Sequence, residues 1–183
     1  MDNINSLIVG MMLGVVGAIT FGTNHQHIDA NLNNTTFDSG EFTQLSKVEQ
    51  YIIIAAYVAD VPADRLAAHL SVESNMRHFH NEDIIKGDSG MAVGIAQIWP
   101  IAQKDVNQHY KTQYSRKKLF ENIMIAALYL RLQVEKYGAT TWKMASFQFN
   151  AGPNKKFHQN RYVVKIENAI NNFTRLNGLY INS

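Results

Sequence analysis

Apolar and polar positions divide the chain into three unequal parts. Leu7–Gly22 is an apolar run interrupted only by Thr20. Residues 23–44 are polar, rich in Asn and Thr, and show no period, which reads as a linker. From residue 45 onward apolar residues recur at helical spacing in blocks separated by Gly, Pro and Asn, predicting a compact domain of five or six helices over 45–183. Ser46 and Glu49 stand ahead of the run Tyr51–Val58 in the arrangement of a capping box, and so continuous an apolar run predicts a central helix. Asp60-Val61-Pro62 breaks it, and Pro62 suits the first turn of the next helix. Pro100 can open a third. Phe120–Tyr137 is the strongest, with Ile123, Ala126, Ala127, Leu130 and Val134 on one stripe and Gly138 as C-cap. Trp142–Phe149 is stopped by Asn150–Pro153, and Tyr162–Phe173 is the last. His78–Gly94 has no helical period and is punctuated by Gly87, Gly90 and Gly94, so any β-structure is a short hairpin there.

One residue breaks this pattern. Leu66, Leu70 and Glu73 fall at i, i+4 and i+7 and share one helix face. A carboxylate on an apolar face is costly unless paired. Desolvation raises its pKa, and a carboxyl protonated near neutral pH is the group that general-acid cleavage of a glycosidic bond needs. The plainer alternative is a Glu at a fraying helix end, turned to water.

Composition narrows the field modestly. The chain is 46% hydrophobic and 17% charged, an ordinary soluble core. A net charge of +2 is too small to imply nucleic acid. Without cysteine there is no disulfide, thiol nucleophile or Cys-based metal site. His78, His80, Glu82, Asp83 and Asp88 crowd one segment, but lack the i, i+4 histidine spacing of a zincin. Solvated loop polar groups are the expectation for them, with no metal and no cofactor.

Within residues 1–22 the apolar run Leu7–Gly22 is shorter than the ~20 residues of a spanning helix unless Ile4–Ser6 are drawn in. No Lys or Arg precedes it, unlike a secretory signal, so a retained membrane anchor is the favoured expectation. Cleavage after Gly22, with Thr20 and Gly22 as the small residues, and a buried soluble helix are the alternatives. Gly10 and Gly14 make a GxxxG that Ala18 continues, a face another helix could approach closely.

Five segments in order then carry a resemblance. Val72-Glu73-Ser74, Gly94-Ile95-Ala96-Gln97-Ile98-Trp99-Pro100, Glu121-Asn122-Ile123 with Tyr129-Leu130, Phe149-Asn150-Ala151-Gly152-Pro153 and Tyr162-Val163-Val164-Lys165-Ile166 resemble the motifs of the soluble lytic transglycosylase family, over about Val48–Ile170. The resemblance implies a lysozyme-like α+β fold, mostly α, related to goose-type lysozymes. It also implies action on peptidoglycan glycan strands, with Glu73 as catalytic acid and Gln97, Asn150, Tyr162, Ser89 and Phe149 around the substrate. By the same resemblance, Glu73 protonates the leaving oxygen of the MurNAc–GlcNAc β-1,4 bond. The substrate's acetamido group stabilises the cationic carbon, and Glu73 then takes the proton of the MurNAc 6-hydroxyl to give a 1,6-anhydro sugar. Three departures stand out: Ala96 for the usual Met, Phe149 for the usual Tyr, and Met91 for a Gly. A Ser usual upstream of the turn is Asp88 in strict register and Ser89 with a one-residue slip. A hydrolytic muramidase using Asp88 or Asp83, a non-catalytic wall-binding subunit and a membrane assembly protein remain as alternatives. Peptidoglycan as substrate implies a place in the cell envelope, outside the cytoplasmic membrane, or on a virion membrane if the chain is viral.

Overall fold

The structure is a computed structural model that describes residues 42, 44–153 and 155–178. The apolar segment with Gly10, Gly14 and Ala18, and most of 23–44, lie outside the described residues. Six α-helices make up most of the domain: α1 Lys47–Ala59, α2 Ala63–Ser74, α3 Pro100–Tyr110, α4 Leu119–Glu135, α5 Trp142–Ala151 and α6 Arg161–Ile170. Between α2 and α3 the chain makes two small antiparallel ladders. Strand β1 (Phe79–His80) pairs with β2 (Asp83–Ile84), and β3 (Lys86–Gly87) pairs with β4 (Ala92–Val93), with a 3-10 turn at Asp88–Gly90.

Local chemistry accounts for the helix ends. The Ser46 hydroxyl accepts from the Glu49 N–H and the Glu49 carboxylate accepts from the Ser46 N–H, the reciprocal capping box expected from the sequence. Pro62 stands at the N-cap of α2, one place earlier than expected, and Pro100 is the first residue of α3. Helix α2 ends at Asn75, whose left-handed backbone (φ 55°) turns the chain directly after Glu73 and Ser74. Helix α4 stops at Glu135, short of Tyr137, and α6 stops at Ile170 before a 3-10 turn at Thr174–Gly178.

Helix α4 is the centre of the core. Every residue from Asn122 to Leu130 is buried, so the stripe expected from the sequence widens to the whole circumference of its middle turns. It packs against α1, α3 and α5, while α2 packs against α6 and α1. Phe42, in the polar segment by sequence, is buried in this core, and its carbonyl accepts from the Gln50 amide. Among the described residues no helix is long and apolar enough to cross a membrane.

Candidate active site

The loop at residues 93–98 is held from three sides by polar side chains, the buried Asn122 and His78 and the half-buried Ser74. Asn122 on α4 accepts from the Ala96 N–H at 2.9 Å and donates to the carbonyls of Val93 (2.9 Å) and Arg116 (2.6 Å). His78 accepts from the Ile95 N–H at Nδ1 and, neutral, donates from Nε2 to the Lys117 carbonyl. Burial holds its pKa below the ordinary histidine range. The Ser74 hydroxyl donates to the Ile95 carbonyl at 2.7 Å. Gly94 is required at its place. Its φ is +81°, and an added Cβ would fall 2.5 Å from Asn122 Nδ2 and 2.7 Å from His78 Cε1.

This loop and the end of α2 bring Glu73 to a half-buried position on the last turn of the helix, below the fully buried Leu66 and Leu70. Tyr162 on α6 donates its hydroxyl to Glu73 Oε1 at 2.6 Å. Desolvation is the main influence on the carboxyl and pushes its pKa up to about 7. The Tyr162 hydrogen bond opposes that rise, and the negative charge of Asp88 adds to it. The Tyr162 phenol is itself raised well above its ordinary pKa by burial beside Glu73, so it acts as a neutral donor.

Behind Tyr162 the polar contacts continue inward. His69, fully buried on α2, places Nδ1 2.9 Å from Tyr162 Oη and Nε2 2.9 Å from Ser146 Oγ on α5. Arg65 donates to Ser146 Oγ at 3.0 Å and to Glu167 on α6 at 2.8 Å. Burial, with the Arg65 charge behind it, lowers the His69 pKa to about 3 and keeps the ring neutral. The Phe149 ring covers His69, with centroids 4.7 Å apart, and meets Tyr129 at 5.4 Å.

The other sequence candidates stand nearer the surface. Asp88 and Ser89 are exposed on the 3-10 turn, both with positive φ. Asp88 Oδ2 accepts from the Trp99 indole at 3.2 Å, a partner outside its own turn. Gln97 is half-buried, and its amide donates to the Gly94 carbonyl at 2.8 Å, so it staples the loop. Asn150 is exposed in the last turn of α5. The solvated reading of the loop polar groups holds for His80, Glu82, Asp83 and Asp88, all exposed. It fails for His78, which the loop backbone needs as a buried partner. Among the described residues no cluster of three or more His, Cys, Asp or Glu could hold a metal.

Comparison with protein families matches residues 50–172 to the transglycosylase SLT domain. The chain belongs to this family. Comparisons with curated proteins and with solved structures give no match. The mostly helical fold with small hairpins is the lysozyme-like arrangement of the SLT domain, and the family acts on peptidoglycan in the manner of glycosidases. Within the matched span, Glu73 and Tyr162 meet across α2 and α6, and Ser74, Asn122 and Gln97 brace the loop between them. Neither His69 nor Ser146 stood out in the sequence. A buried-face histidine with a serine far along the chain was the available signal, and it becomes specific only once the helices are packed.

Proposed function

We propose that this SLT domain is a lytic transglycosylase that cuts the MurNAc–GlcNAc β-1,4 bond and leaves a 1,6-anhydroMurNAc end. The supporting observation is the Glu73 carboxyl: desolvated, hydrogen-bonded at Oε1 by Tyr162, and raised to a pKa of about 7. Such a group is protonated in about half the molecules at neutral pH and is equally able to lose and regain a proton. In this reading Glu73 gives its proton to the glycosidic oxygen as the bond breaks. The acetamido group of the substrate supports the positive charge at the sugar carbon. The carboxylate then removes the proton of the 6-hydroxyl as that oxygen closes on the same carbon. The proton count returns to its start, and no water enters the product. Asn150 and Ser89, both exposed, are the proposed contacts to the sugars, together with Gln97 on the stapled loop and Phe149 against His69.

A hydrolytic muramidase is the second reading, and one observation favours it: Asp88 lies near enough for its charge to raise the Glu73 pKa. Against it, the Asp88 carboxylate is exposed and its Oδ2 is held by the Trp99 indole. Digestion of purified sacculi, with products read by mass spectrometry, separates the two. Anhydro-muropeptides support the transglycosylase, reducing muropeptides the muramidase, and intact sacculi a wall-binding protein without turnover.

For location, we propose that the domain works outside the cytoplasmic membrane, where its polymer lies. Residues 1–22 would then act as anchor, with Gly10, Gly14 and Ala18 open to a helix partner, and residues 23–41, ahead of the buried Phe42, as tether. A flexible tether of that length reaches ~25 Å, which suits local opening of the wall. Fractionation of the full chain tests this: recovery in the soluble fraction without detergent and with an intact N-terminus would end the anchor reading.

A further inference from the structure

The contacts from Arg65 to Glu73 have a direction. Arg65 has only donors, so Ser146 Oγ accepts from it. Ser146 is fully buried, and Arg65 and His69 are its side-chain partners among the described residues, so its single hydroxyl proton is satisfied on His69 Nε2. A neutral imidazole that accepts at Nε2 carries its proton at Nδ1, and the atom facing Nδ1 is Tyr162 Oη. Tyr162 therefore accepts from His69 and spends its own proton on Glu73 Oε1. Reversing the chain would leave the buried Ser146 proton without an acceptor and take the Tyr162 donor away from Glu73.

We propose that Arg65, Ser146 and His69 form a one-way hydrogen-bond chain that, through Tyr162, keeps Glu73 Oε1 an acceptor and so assigns the acid proton to Oε2. His69 is then a positioning residue: it touches no substrate and acts through Tyr162. The chain is built for this. Arg65 is itself anchored by Glu167 at 2.8 Å, and Phe149 closes over the His69 ring. A carboxyl whose proton sits always on the same oxygen presents it to the glycosidic oxygen without a prior rotation. The same Tyr162 donor remains in place when Glu73 becomes a carboxylate. The charged and titratable groups facing the chain are Arg65 and Glu73 on α2, Tyr162 and Glu167 on α6, and Asp88 on the 3-10 turn. The inference rests on Glu73 being the acid of the proposed reaction.

The test has two arms. Side-chain nitrogen NMR of the wild-type protein reads the His69 tautomer without any assay of activity. A protonated Nδ1 and bare Nε2 from pH 5 to 8 are expected; a protonated Nε2 overturns the chain. In the second arm, sacculus turnover is followed against pH for Ser146→Ala, Tyr162→Phe and the double variant. Ser146→Ala frees the tautomer, so turnover should fall about tenfold at pH 7, the scale of one lost hydrogen bond. Its alkaline limb should move up, as in Tyr162→Phe, and add nothing in the double variant. Additive effects would mark Ser146 as merely structural and overturn the proposal. If Glu73→Gln retains turnover, the acid assignment falls, whatever the tautomer. If Glu73→Gln is inactive and His69 carries its proton on Nε2, only the chain falls.

Discussion

Ser74 Oγ donates to the Ile95 carbonyl at 2.7 Å, tying the residue next to the candidate acid to the loop that carries Gln97. The bond spans the gap between a helix end and a loop that share no regular structure. Its strength therefore bears on how well the two sides of the site stay in register. Ser74→Ala should leave the Ile95 carbonyl without this partner and cost about 1–2 kcal/mol. Turnover should fall more than stability alone explains, because Glu73 and Gln97 would no longer be held together. A thermal melt and a sacculus assay on the same variant check both parts; equal activity with lowered stability would make the tie purely structural.

Asn122 should be among the costliest residues in the domain to replace. Asn122→Ala strands the buried Ala96 N–H, leaves the Arg116 carbonyl without its Asn122 donor and leaves the Val93 carbonyl with the Ile98 N–H alone, for about 3 kcal/mol. A fall in Tm of about 10 °C is the expected reading. A fall of a degree or two would mean that the loop finds other partners.

Glu73→Gln should lower activity by at least ~10²-fold, the usual contribution of general acid–base catalysis. Its effect on stability should depend on pH. The folded-state pKa of about 7 lies above the ordinary value of 4.5, so between those values the folded state holds more of the proton. Stability therefore falls as pH rises from about 4.5 through about 7, by an amount on the order of 3 kcal/mol at the top of the window. The glutamine variant lacks this loss and should gain on wild type at pH 8 more than at pH 5. Parallel Tm curves for the two proteins would show that the carboxyl is not desolvated.

Tyr162→Phe and Asp88→Ala should move the alkaline limb of activity in opposite directions. Loss of the Tyr162 hydrogen bond removes what lowers the Glu73 pKa, so the limb moves up. Loss of the Asp88 charge removes what raises it, so the limb moves down. Asp88→Ala should keep anhydro products with turnover within a few-fold of wild type. If it abolishes turnover, Asp88 is a general base and the muramidase reading takes over.

His69 sets a limit at acid pH. Its pKa falls from 6.5 to about 3 in the fold, so below pH 6.5 the unfolded chain binds a proton that the folded one refuses. Stability is lost as pH drops from 6.5 toward 3. His69→Gln should weaken the protein at pH 7, where a hydrogen-bonded partner is lost, and flatten the acid slope. Unfolding midpoints at pH 4, 5 and 7 check this; an unchanged slope would assign the acid sensitivity to other groups.

Much of the architecture is written in short-range pattern. Ser46 and Glu49, Pro100 and the Ile123–Leu130 stripe act on neighbours a few residues away, and the helices start and run where these residues require. Glu73 was visible for the same reason, since Leu66 and Leu70 define its face within two turns. The ordered motifs from Glu73-Ser74 to Tyr162 carried the family, which the match over residues 50–172 shows. Tertiary structure alone decided the rest. His69 meets Ser146 from 77 positions away, and Arg65 meets Glu167 from 102. A histidine or serine in a helix has the same local pattern whether it faces water or another helix, so neither its burial nor its tautomer is encoded nearby. The same holds for His78, and for the pKa of Glu73, which desolvation by packed neighbours sets and residue spacing cannot.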